Sequence, residues 1–143
     1  MENFEQYLMD KYPTLHPKNE EGKILPPVCG TWCPAGWEDI VDKLCGCIVD
    51  YTTLCYTTTP ISSPGSGYEK VFAPPVTIDQ IKSKFAELRF YYSGGDKQVD
   101  GMVRFAEYMC NNTCEVSGKP GRKYQKGHWW VTLSDEEIEK INK

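Results

Sequence analysis

Apolar residues recur along this chain at two different spacings, and those spacings divide it into elements. Phe4, Tyr7 and Leu8 stand at helical intervals and Pro13 closes the run, which predicts a helix from Asn3 to Lys11. From Trp37 onward, Ile40, Val41, Leu44, Ile48, Tyr51 and Leu54 keep a period of about 3.6. A helix is therefore predicted from Pro34 to Asp50 or slightly beyond, with Pro34 suited to a first turn because it has no N–H to leave unpaired. Gly46 inside it costs about 1 kcal/mol relative to Ala, which predicts a close helix contact at that point. Thr77 caps a further predicted helix, Ile78 to Phe85, with Ile78, Ile81 and Phe85 on one face. Leu88 to Tyr92 alternates instead: Leu88, Phe90 and Tyr92 share one face of a predicted strand, and Arg89 and Tyr91 the other. Ser93-Gly94-Gly95-Asp96 ends that strand, and a helix from Lys97 to Asn111 follows with Val99, Met102, Val103, Ala106 and Met109 inward.

Polar and turn-forming residues fill the intervals. Pro13 to Pro27 reads as a connection laid over the surface. Thr57 to Pro75, with four prolines, reads as an irregular loop holding a short strand at Glu69 to Phe72. After Cys114 come a basic link, the run His128 to Leu133, and Ser134-Asp135-Glu136-Glu137 with capping-box spacing. Ile138 and Ile141 give the last helix its apolar edge. The expected fold is a small single α+β domain, helices packed on a short sheet, with a degenerate treble-clef-like corner at the C-terminal end. Residues 1–33 form an N-terminal helix and surface connection, and residues 34–143 the main part of what reads as one cooperative unit.

Length and charge narrow the function. At 143 residues the chain suffices for one real core. A net charge of -4 disfavours a nucleic-acid partner, although Arg122, Lys123 and Lys126 make a local basic link. No apolar run is long enough to span a bilayer, and the acidic start MENFEQY lacks the basic region of an export signal, so a cytoplasmic protein is expected. In a reducing compartment the seven cysteines read as thiols or remnants of metal sites, and Asn111-Asn112-Thr113 as a chance match to the glycosylation pattern.

One corner has the layout of a structural zinc site, which needs four Cys or His ligands in two close pairs. Cys114 holds the first knuckle position, but Ser117, Ser134 and Glu137 hold the other three. A hydroxyl titrates far above neutral pH and offers no anionic sulfur, so no metal and no other cofactor is expected.

The same residues carry a resemblance. The run Gly36 to Cys45, the run Ile81 to Tyr91 with its Lys-Phe and Leu-Arg-Phe-Tyr elements, and Thr113 to Gly121 with Trp129 to Glu137 are similar to three blocks of a family of small uncharacterised proteins found in phages, prophages and bacterial genomes. The likeness covers roughly residues 34–137. It implies a treble-clef zinc corner, from which this chain departs at Ser117, Ser134 and Glu137. Family glycines after the Lys-Phe pair are also replaced, by Ala86 and Glu87.

No catalytic constellation is legible. His16 and His128 lie in no nucleophile or metal signature, Cys29 and Cys33 are spaced one residue wider than a redox pair, and no phosphate loop is present. The reading therefore favours binding over turnover. Lys84, Arg89 and Tyr91 cluster near one strand, and Trp37, Trp129, Trp130 and His128 add rings that could stack on a base. The plainer reading puts Phe85, Leu88, Phe90 and Trp37 in the core and pairs Arg89 with Glu87 or Asp96. The phage context implied by the resemblance points to a nucleotide-like ligand, sequestered to deny a defence signal to the host. A host-protein inhibitor and a DNA-associated accessory protein are the alternatives. Assembly into a homo-oligomer is compatible with each.

Overall fold

A computed structural model describes residues 3–60 and 67–143. The first helix, α1 (Phe4–Lys11), is capped by the Asn3 side chain, which accepts from the Gln6 amide, and buries Phe4 and Leu8. The connection after Pro13 is only partly a surface segment. A single 3-10 turn, Pro13–Leu15, drives Leu15 and His16 into the interior. Burial lowers the His16 pKa, while its Nδ1 lies 2.9 Å from the Tyr12 carbonyl oxygen.

A second 3-10 turn, Ala35–Trp37, leads into α2 (Glu38–Leu54). The close contact expected at Gly46 is with a phenol, not a helix: a Cβ there would lie 3.2 Å from the Tyr12 hydroxyl. That hydroxyl and the one on Tyr7 both donate to Asp42, and Lys11 Nζ lies 3.1 Å from the same carboxylate, tying α1 to α2. Burial alone would raise the Asp42 carboxyl, but these three donors outweigh it and hold the pKa below its ordinary value.

Beyond α2, β1 (Tyr56–Pro60) and β2 (Tyr68–Phe72) pair antiparallel, so the expected loop is largely a hairpin. Residues 61–66 of that stretch lie outside the described part. Next, β3 (Val76–Lys84) pairs antiparallel with β4 (Glu87–Gly94). The helix expected over Ile78 to Phe85 is therefore a strand, and the reason is local. A register shift between Ile78 and Gln80 adds one residue to β3, so Ile78 and Ile81 both point inward although three apart. A bulged strand imitates helical spacing.

The strand alternation predicted for β4 holds: Leu88 and Phe90 are buried, while Tyr91 on the other face is exposed. Helix α3 (Lys97–Asn111) spans the predicted residues, with Asp96 accepting from the Gln98 and Val99 amides. Its buried face ends in Cys110; Met109, expected inward, is 41% exposed. Then β5 (Arg122–Lys126) pairs with β6 (Trp129–Leu133), and α4 (Asp135–Ile141) closes the chain. Ser134 caps α4 as predicted, but Glu137 does not reach back; its carboxylate takes Lys140 at 3.0 Å. Ile138 is buried, whereas Ile141 is only partly covered.

The result is an α+β domain with three two-stranded antiparallel sheets among the described residues. One main core joins α1, α2 and α3 to β3 and β4, and a smaller one gathers Cys114, Leu133 and Ile138. No helix among the described residues is long and apolar enough to cross a membrane.

The two cores meet at the start of α2. Trp37 is fully buried, and its indole N–H donates to the Thr113 carbonyl at 2.8 Å. Next to it the Gly36 amide donates to the Glu115 carbonyl, also at 2.8 Å. A Cβ on Gly36 would overlap the Cys114 carbonyl oxygen and fall 2.7 Å from the Glu115 carbonyl carbon. These neighbours are backbone and cannot swing aside. Gly36→Ala is accordingly expected to destabilise the protein by about 3 kcal/mol, read by urea unfolding. Gly101→Ala, whose new methyl meets nothing within 4 Å, is expected to stabilise by about 0.5–1 kcal/mol. Equal effects of the two would contradict the packing described.

Candidate functional site: an aromatic cleft

The strongest candidate site lies between the β3–β4 turn and the start of β6. Four large rings are exposed there: Trp129 (77%), Phe85 (67%), Trp32 (63%) and Trp130 (47%). They stand around a cleft of about 740 Å³ that Lys84, Glu115 and His128 also line. An open hydrophobic surface of that size on a small domain, carrying one cation and one carboxylate, is the kind of place ligands use.

Each ring arrives by a different route. Trp32 is held by backbone pairing outside the named strands: its amide donates to the Ile81 carbonyl at 2.7 Å, and the Ile81 amide donates to Gly30 at 3.2 Å. Residues 30–32 thus run parallel along β3 and set Trp32 beside the cleft. Trp129 and Trp130 come from the start of β6.

Phe85 is presented by an unusual turn. Lys84 and Glu87 are the last cross-strand pair of β3 and β4, leaving a two-residue loop of Phe85 and Ala86. Both loop residues are left-handed, with φ of 54° and 62°. Hairpins of this kind ordinarily place Asn and Gly there, because a Cβ in that region costs roughly 1–2 kcal/mol. Ala86 is buried, and its carbonyl accepts from the Thr132 hydroxyl at 3.0 Å. The strain is held by β6.

Thr132 also organises the cleft floor. It is fully buried, its amide donates to Glu115 Oε2 at 3.0 Å, and its carbonyl accepts from the Glu115 amide at 2.9 Å. Burial pushes the Glu115 carboxyl pKa up, with the Thr132 amide opposing.

The residues singled out in the sequence divide into two groups. Lys84, His128, Trp129 and Trp130 line the cleft. Trp37 does not: it is core, with no face left for a ligand. Arg89 ion-pairs with Glu87 at 3.0 Å, and Glu87 also takes Lys123 at 3.0 Å, which together with Arg89 holds that carboxyl below its ordinary range. Tyr91 lies on the outer face of β4 with Lys82 Nζ 6.0 Å from its ring centroid. The Lys84, Arg89, Tyr91 grouping is thus split. Phe85, read as core, is instead a rim residue, and Trp32 and Glu115 were not singled out at all.

The C-terminal corner has no donor set for zinc. Ser134 Oγ caps α4, Ser117 Oγ accepts from the Lys119 amide at 3.2 Å, and the Glu137 carboxylate bonds Lys140. Among the described residues no three Cys, His, Asp or Glu side chains converge on a metal position. Burial alone would raise the Cys114 thiol. The Ser117 hydroxyl and the amides of Ser117, Ser134 and Val116 reverse that and bring it down to about 7. Of these groups the Ser117 amide is the one in hydrogen-bond geometry with the sulfur, at 3.4 Å.

Other hollows carry less chemistry. In a space of about 410 Å³ beside Tyr51 and Asp96, these two groups are already engaged, with the Tyr51 hydroxyl donating to Asp96 at 2.6 Å and Asp96 capping α3. No family model, curated protein or solved structure matches the chain.

The turn supplies a direct check. Phe85→Asn with Ala86→Gly gives the residues this backbone favours, and is expected to stabilise the protein by about 1 kcal/mol. The melting temperature should rise by a few degrees. A fall would mean that the left-handed turn is not strained.

Proposed function

We propose that this protein binds a nucleotide-like ligand in the aromatic cleft and does not turn it over. In the phage setting its resemblance implies, it sequesters a nucleotide-derived defence signal in the host cytoplasm. One observation carries the reading: Trp32, Phe85, Trp129 and Trp130 expose their rings around a single cleft that also holds the Lys84 ammonium. Every base has a face to stack, and stacking on one aromatic side chain contributes about 1–3 kcal/mol. Lys84 supplies charge for a phosphate. The strained turn fixes Phe85 before any ligand arrives, so little ordering is left to oppose binding.

The turn at residues 114–118, the β5–β6 hairpin and α4 form a treble-clef-like corner whose Cys114 thiol accepts from the Ser117 amide, and whose task is to carry Trp129 and Trp130. Arg89 keeps a structural role through Glu87.

A second reading has its own observation. The β1–β2 hairpin exposes Tyr56, Tyr68, Val71 and Phe72, apolar surface suited to docking on a host enzyme as an inhibitor. The DNA-associated reading loses support, since Arg122 pairs with Asp135 and Lys123 with Glu87.

Thermal melting with a panel of mono-, di- and cyclic nucleotides and ADP-ribose separates these readings. A ligand at about 100 times its dissociation constant is expected to add roughly 2.7 kcal/mol. Trp129→Ala should remove the shift, and Arg89→Ala should keep it. No shift with any nucleotide, together with a host enzyme retained through the β1–β2 hairpin, would replace this reading with the inhibitor.

A further inference from the structure

We infer that the base selected by the cleft is guanine, read by the Glu115 carboxylate; this rests on the nucleotide reading above. Glu115 is pinned twice to Thr132, by its own amide and by Oε2. Its other oxygen, Oε1, receives no hydrogen bond from the described residues, yet the side chain lines the cleft. A partly buried carboxylate with half its acceptor capacity free favours a ligand that brings donors.

The common bases differ sharply in what they offer such a group. Guanine presents two adjacent donors, the ring N1–H and the 2-amino group, at a spacing that matches the two oxygens of a carboxylate. Thr132 leaves Oε2 a second lone pair, so both oxygens can accept. Adenine and cytosine each place an amino group beside a bare ring nitrogen, whose lone pair the carboxylate would repel. Uracil offers one N–H flanked by two carbonyl oxygens, which oppose it likewise. Among the four, guanine alone satisfies the carboxylate without a clash of acceptors.

A quaternary ammonium ion is the competing occupant, because rings around a carboxylate also attract cations. Lys84 argues against it. A ligand with a donor edge at one end and a phosphate at the other complements both Glu115 and Lys84, whereas a simple cation meets repulsion from the ammonium. A guanine nucleotide has that polarity.

The test is tryptophan fluorescence titration of the full chain with guanosine, inosine and adenosine monophosphates and with tetramethylammonium. Guanosine monophosphate is expected to bind about tenfold or more tighter than the adenosine nucleotide. The inosine nucleotide, which keeps N1–H but lacks the 2-amino group, should fall between them. Glu115→Gln should weaken the guanosine nucleotide about tenfold while changing the adenosine nucleotide less than about twofold. Should that variant fail to fold, the inosine comparison on the unaltered protein decides alone. Equal binding of all three nucleotides overturns the guanine assignment and leaves the nucleotide reading standing. Binding of none of them overturns the guanine assignment, and tighter binding of tetramethylammonium than of any nucleotide overturns both.

Discussion

The fold turns on a contact between two pieces of backbone. Residues 114–118 lie so close to Gly36 that no side chain fits between them, and Trp37 beside it fills the core while its indole N–H satisfies the Thr113 carbonyl. A buried carbonyl left without a donor costs about 1–3 kcal/mol, so the indole is both filler and partner. Through this seat the smaller C-terminal core is fixed to the larger one. The sulfur of Cys114 is part of the same seat: it is fully buried and accepts from the Ser117 amide at 3.4 Å.

From that seat the geometry propagates to the cleft through Thr132. Its amide and carbonyl hold Glu115, its hydroxyl holds the Ala86 carbonyl, and the strand it belongs to begins with Trp129 and Trp130. One fully buried threonine therefore links all but one of the segments that line the site. The exception, Trp32, is tied to β3 by main-chain bonds. A two-residue turn with both residues left-handed survives because β6 holds it from behind, and the consequence is a phenyl ring kept out of the core and on the rim. Local strain and ligand-facing position coincide, as they often do at sites where preorganisation matters.

Much of the fold could be read from spacing where one face of an element is buried without interruption. Helix α3 and strand β4 are of that kind, and so is the Ser134 cap. Strand β3 imitates a helix in sequence because its bulge places Ile78 and Ile81 on one side, the interval a helix would give. Leu15 and His16 were assigned to the surface because a short 3-10 turn leaves no periodic trace. The site was legible only in part. Trp129, Trp130, His128 and Lys84 stood out by residue type, but Phe85 reaches the cleft through positive φ, Glu115 through cross-strand bonds, and Trp32 through a parallel bridge. Each of those depends on a partner distant in sequence.

The central claim is that packing on Gly36, with the Ser117 amide on the Cys114 sulfur, suffices to hold the C-terminal corner in place without a metal. Elemental analysis of the purified protein, paired with melting in a strong chelator, measures this directly. The expected result is zinc far below one per chain and a melting temperature that the chelator leaves unchanged. One tightly held zinc per chain, lost with unfolding on chelation, would contradict the account.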